Sequence, residues 1–131
     1  MVIESIRISA FGIFSDRSLA FGGGINIIEG ENESGKTTLA AFLRFLFYGF
    51  EDREERAHYT ARTENGDAVT VGGSLDCTVT GEDGKPVRYR IARTLEPEDP
   101  SVSGHARITD LAANTRVFSD REPWEVFFGV P

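Results

Sequence analysis

Cysteine, histidine and tryptophan are scarce: 131 residues carry one Cys, Cys77, one Trp and two His, His58 and His105. A single thiol permits no internal disulfide, so the fold must rest on its core. Two imidazoles without a cysteine cluster give no metal-ligand spacing, and both read as surface side chains. Long apolar runs are missing as well. The stretch Leu39 to Phe50 is interrupted by Arg44 and falls short of the ~20 residues that span a bilayer, which leaves no membrane segment and no membrane partner to expect. Basic charge is in deficit, with 14 Lys and Arg against 21 Asp and Glu and a net charge of -7. That balance argues against this piece alone gripping nucleic acid or a membrane surface, because non-specific DNA affinity comes from neutralising phosphates, although a local basic face is compatible with it. There are no repeats or low-complexity tracts. The opening residues, Met1 to Arg7, alternate like a strand and not like a secretory signal, so the expected compartment is the cytoplasm.

What is present is core material. Hydrophobic residues make up 40% of the chain and ten are Phe, enough for one domain with a packed interior. Ile6, Ile8 and Ala10 fall on one face of an expected strand over 2–10, and Leu19 to Phe21 can pair back on it. Gly22-Gly23-Gly24 makes a tight connection into Ile25 to Glu29, a nearly all-apolar strand of the kind buried on both faces. Lys36 to Phe47 reads as a helix apolar almost all round, hence sandwiched, ended by Tyr48-Gly49. Its aromatic residues read as core and not as a base-stacking platform, since helical spacing beneath a sheet already accounts for them. Residues 51–67 are charged and aperiodic, and read as a mobile surface loop. Two β-hairpins are expected at about 69–95 and 104–118. In the first, Leu75, Cys77 and Val79 face Val87, Tyr89 and Ile91 across Gly81 to Gly84, with Arg88 and Arg90 outward. Asp120 to Gly129 reads as a short helix with Pro123 in its first turn.

The chemistry concentrates at Gly30-Glu31-Asn32-Glu33-Ser34-Gly35-Lys36-Thr37, a Walker A loop between a strand and a helix. Four residues between Gly30 and Gly35 let the backbone wrap as a nest whose N–H groups point inward and replace the hydration of phosphate oxygens. The helix starting near Lys36 adds its positive end and unpaired N–H groups at the same spot. Lys36 supplies a point charge for the β and γ phosphates, Thr37 a hydroxyl ligand for Mg2+, and Thr38 a donor toward the α-phosphate. The candidate nucleotide-binding residues are therefore Gly30, Asn32, Glu33, Ser34, Gly35, Lys36, Thr37 and Thr38, the metal residue is Thr37, and the cofactors are ATP and Mg2+. No guanine-specifying Asn-Lys-x-Asp occurs, which tilts the base toward adenine.

Met1 to Phe50, through Ala10-Phe11-Gly12-Ile13-Phe14, the Walker A loop and Phe45-Leu46-Phe47-Tyr48-Gly49-Phe50, resembles the N-terminal lobe of an ABC-type ATPase head of the Rad50/SMC/RecN class. Within that class it is most similar to bacterial YhaN-like AAA-domain proteins, on the Asn-Glu-x-Gly-Lys loop and the Phe-Gly-x-Phe entry. The likeness continues more weakly through Gly72-Gly73-Ser74-Leu75 and Tyr89-Arg90-Ile91-Ala92-Arg93. It implies an α/β fold: a P-loop NTPase lobe with a Walker A strand-loop-helix unit and a mainly antiparallel β subdomain. It also implies a DNA-linked ATPase clamping two nucleotides between two heads, each head built from N- and C-terminal lobes joined by a coiled coil. The implied partners are the C-terminal lobe of the same protein, a second head in a homodimer, and DNA reached through the full-length protein. The base would lie near the turn around Phe11 to Ser15. Rad50-type members carry arginine where this chain has Gly12.

The departures set the expected activity. No apolar strand ending in Asp-Glu and no Leu-Ser-Gly-Gly occurs, so nothing supplies the water-activating carboxylate that hydrolysis needs beside its charge stabilisers. No catalytic residue is expected in this chain. Residues 1–131 read as a single partial domain that binds ATP with Mg2+ and does not turn it over alone, the full-length protein being the ATPase. Two other classes are open: a free-standing nucleotide-binding or partner-binding module, and a small P-loop kinase. The hairpins after the helix oppose the kinase, which would continue in βαβ alternation, as does the lack of an arginine-rich lid.

Overall fold

A computed structural model of the chain describes residues 1–21 and 33–129. Among these described residues six strands and three helices follow in the order β1 (Val2–Phe11), β2 (Phe14–Ala20), α1 (Glu33–Tyr48), α2 (Arg53–Tyr59), β3 (Val71–Thr80), β4 (Pro86–Leu95), β5 (His105–Asp110), β6 (Thr115–Val117) and α3 (Pro123–Phe127). The strands form one sheet, β2-β1-β3-β4-β5-β6, antiparallel at every pairing. The strand expected at Ile25 to Glu29 and its glycine connection lie outside the described residues.

Strand parity fixes the two faces. The register sets Leu19, Ile6, Leu75, Ile91, Ile108 and Val117 in one row across all the strands. The four middle members of that row are fully buried, each worth ~1.5–3 kcal/mol relative to exposure. The opposite face carries Ser5, Asp76, Arg90, Thr109 and Arg116 in register, with Arg90 bonded to Asp76 directly across the pair at 2.7 Å. Alternation of apolar and polar residues is what a sheet packed on one side requires.

α1 covers the apolar face. Leu39, Phe42, Phe45 and Leu46 recur at helical spacing and are all buried. Phe42 rests on Gly73, where a β-carbon would come within 2.8 Å of Cζ of its ring and 2.1 Å of the Arg7 carbonyl, so the close approach of helix and strands depends on that glycine. Phe11 completes the cluster, edge-on to Phe42 at 5.2 Å and stacked on Tyr59 at 4.8 Å. These rings are interior, as the helical spacing suggested.

Two expectations need correction. α1 is not covered all round: Thr37, Ala40, Arg44 and Tyr48 are exposed, while the sheet takes one side and the last turn meets Trp124 of α3 through Tyr48 and the C-cap residue Phe128 through Phe47. The segment 51–67, read as a loop for want of periodicity, contains α2. Asp52 caps it by accepting from the Glu55 N–H at 2.8 Å, and the Glu55 carboxylate accepts from Glu51 N–H and pairs with Arg44 of α1. Arg56 then donates to the carbonyls of Glu96, Pro97, Asp99 and Ser101, fastening α2 to the β4–β5 connection. The closing helix is shorter than its expected span, limited to Pro123–Phe127.

Candidate functional site

The first turns of α1 present the described part of the phosphate-loop sequence. Gly35 is buried, Lys36 half-buried, Thr37 exposed and Thr38 6% exposed. At 3.6 residues per turn these neighbours point in different directions, so Thr37 offers its hydroxyl outward while Thr38 is turned inward. Glu33 and Ser34 belong to α1, and Gly30 and Asn32 lie outside the described residues. The helix start carries the positive end of the dipole, which favours an anion. Lys36 adds a cation there, where a cation is electrostatically disfavoured. Among the described residues no carboxylate pairs with it, although the chain has 21 acidic residues.

The β1–β2 turn packs against this end of the helix. Phe11 and Phe14 pair, so Gly12 and Ile13 form the turn, and Gly12 has φ +57°, which a type II′ turn requires at its first central residue. Gly12 N–H donates to the Tyr59 carbonyl at 2.8 Å. A β-carbon on Gly12 would lie 3.1 Å from Cδ1 of Tyr59 and 3.2 Å from Cγ2 of Thr38. Position 12 is thus wedged between α2 and Thr38. Any side chain there would strain the left-handed backbone and press on the Tyr59 and Thr38 side chains.

Other candidates resolve away from this site. His58 is exposed and stands edge-on to Tyr59, and His105, also exposed, lies 3.3 Å from Asp99. No group of His, Cys, Asp and Glu among the described residues can hold a metal ion. Cys77 is buried, and burial pushes its thiol up to about 11, so it is an unreactive core group. A cleft of about 730 Å³ between β4, β5 and the approach to α3 has Arg93 in its wall. Arg93 is fully buried; it donates to the Leu46 and Phe47 carbonyls at 3.3 Å, to the Ser103 carbonyl at 2.8 Å and to Glu122 at 2.7 Å, at the far end of α1 from Lys36.

Sequence reasoning passed over Arg93, Arg56 and Tyr59. Signals for two of them were present. Arg93 has the strand parity of Ile91, hence the buried face, and Asp52 followed three residues later by Glu55 is a helix-start signature that would have placed Tyr59 at the end of a short helix.

The chain matches the family described as AAA domain over residues 5–122, and it belongs to that family. It is 35% identical over 121 residues to the DNA double-strand break repair Rad50 ATPase of Thermoplasma volcanium, a match spanning 92% of this chain and 12% of the relative. It is 37% identical over 100 residues to the DNA replication and repair protein RecF of Shewanella piezotolerans, a match covering 75% of this chain and 26% of that protein. The similarity to an ABC-type ATPase head lobe of the Rad50/SMC class therefore extends well past the first fifty residues. The chain spans only a small part of either relative's length.

Proposed function

We propose that the chain is the Mg-ATP-binding lobe of a Rad50/SMC-like ATPase acting in DNA repair or chromosome maintenance. A C-terminal lobe of the same protein and a second head complete hydrolysis, and DNA is engaged through the full-length protein in the cytoplasm. The observation that carries this reading is Lys36. It is a half-buried cation in the first turns of α1, after Gly30 to Gly35, with no carboxylate paired to it among the described residues. A phosphate chain is the complement such a place lacks. The proposed donor set is Lys36 for the β and γ phosphates, the exposed Thr37 hydroxyl for magnesium, and Thr38 and the Gly30, Asn32, Glu33, Ser34 and Gly35 backbone for the remaining oxygens. When bound, Mg-ATP would bring the γ-phosphoryl group and neutralise charge on its oxygens. The chain's own part is to bind and orient, since its sequence holds no apolar strand ending in Asp-Glu to activate water.

The antiparallel sheet, with no βαβ alternation among the described residues, speaks against a small P-loop kinase. The test is a titration of Mg-ATP against the wild type and Lys36→Ala, with phosphate release followed in parallel. Wild type should bind, Lys36→Ala should bind roughly 10- to 100-fold more weakly from loss of a charge-assisted contact, and the 131-residue chain should release no phosphate. Turnover by this chain that Lys36→Ala abolishes would sink the proposed dependence on another lobe.

A further inference from the structure

Resting on that reading of the site, we propose that α2, acting through Tyr59, is the positioning element for the nucleoside end of the ligand: it sets where the β1–β2 turn stands against Thr38. A phosphate chain laid along Lys36, Thr37 and Thr38 runs from its terminal phosphates toward its α-phosphate. What abuts Thr38 therefore meets the nucleoside and not the free end of the phosphates. Gly12 abuts Thr38, and Tyr59 holds Gly12 in two ways. Its carbonyl accepts the Gly12 N–H at 2.8 Å, and its ring lies under the turn, stacked on Phe11 at 4.8 Å and in line with Phe50 at 6.3 Å.

α2 is itself held from outside the site. Arg44 grips Glu55, and the Arg56 guanidinium is enclosed by carbonyls of the β4–β5 connection. A short helix with so many fastenings and one buried aromatic residue is a bracket. Its inner end supports the turn, and its outer end is tied to residues 96–101. Tyr59 is a positioning residue in this scheme, because its support reaches the ligand only through Gly12 and Thr38.

The test separates positioning from folding by using two probes on the full-length protein, Mg-AMPPNP and magnesium tripolyphosphate, each titrated at equilibrium. Tyr59→Ala should weaken Mg-AMPPNP about tenfold and leave tripolyphosphate within about twofold, since misplaced contacts cost affinity only for the part of the ligand they touch. Tyr59→Phe, which keeps the ring and the carbonyl, should match wild type with both probes. Arg56→Met, which frees the outer end of α2 without touching the turn, should shift Mg-AMPPNP in the same direction by a smaller factor, and it decides the matter if Tyr59→Ala does not fold. Equal weakening of both probes, or no change in either for a folded variant, overturns the proposal. Wild-type protein that binds neither probe overturns the nucleotide-binding reading itself, and the positioning role with it.

Discussion

Lys36 and Arg93 are cations at opposite ends of one helix, roughly 15 Å apart along α1 at 1.5 Å per residue, and their surroundings are opposite too. Arg93 sits where the helix dipole is negative. It is completely buried, and each of its nitrogens donates to a carbonyl or carboxylate. Lys36 sits where the dipole is positive, half-exposed, with no acidic partner among the described residues. Folding alone accounts for the first arrangement, because a cation at a helix C-terminus satisfies carbonyls that would otherwise be orphaned. No such pairing among the described residues accounts for the second, a cation at the positive end of a helix. The contrast is what the proposed division between a structural charge, Arg93, and a ligand-binding one, Lys36, rests on.

The widest separation should appear on breaking each cation in turn. Arg93→Met leaves the Leu46, Phe47 and Ser103 carbonyls without their donor and Glu122 without its counter-charge, at a cost of about 3 kcal/mol. The melting temperature should fall by about 10 °C. Nucleotide affinity of the folded fraction should stay within about threefold of wild type; a collapse of affinity in folded protein would erase the distinction. Lys36→Met should do the reverse. With no acidic partner to lose among the described residues and an unfavourable dipole interaction removed, unliganded stability should be unchanged within about 0.5 kcal/mol or slightly raised. The upward shift in melting temperature on adding Mg-ATP should disappear. Calorimetry with and without ligand measures both, and a strongly destabilised Lys36→Met would mean that the lysine serves the fold.

The legible part of this molecule was that governed by short periods. Leu75, Cys77 and Val79 opposite Val87, Tyr89 and Ile91 announce β3 and β4 through period-2 alternation and a glycine-bounded turn. Leu39, Phe42, Phe45 and Leu46 announce α1 through period 3.6, and the helix runs Glu33–Tyr48, a little past the Lys36 to Phe47 span expected. Sheet order was not legible, because β1 pairs with β3 across the whole helical region and no local signal encodes a long-range partner. α2 escaped because a charged helix fastened by Arg44 and the carbonyls around Arg56 has no apolar stripe to betray it; only Tyr59 is buried. Arg93 resembles Arg88 and Arg90 in type, and only its strand parity with Ile91 separates the buried guanidinium from the exposed ones. For the candidate site, the roles proposed for Lys36, Thr37 and Thr38 come from spacing. The wedge of Gly12 between Thr38 and Tyr59 was not, since it joins residues from three separate elements.

Arg88 marks a third condition between the other two: paired, like Arg93, yet exposed, like a surface charge. It donates to Glu4 through Nε and Nη2 at 3.1 Å, and Thr78 Oγ1 donates to the same carboxylate. The hydrogen bonds from Arg88, and then from Thr78, hold the Glu4 carboxyl below its ordinary value of 4.5. A lowered folded-state value means that the unfolded chain takes up the proton first as pH falls. The contribution of Glu4 is therefore present in full above the ordinary glutamate range and is lost as pH drops through the folded-state value. Denaturant titrations of wild type and Glu4→Gln should show wild type more stable at pH 7, with the gap closing below pH ~4.5. The gap at neutral pH should be the smallest of the three effects, because water competes for an exposed pair and salt screens it. A gap as large as that of Arg93→Met would show that exposure does not separate these arginines, and burial would have to give way to hydrogen-bond count as the quantity that ranks them.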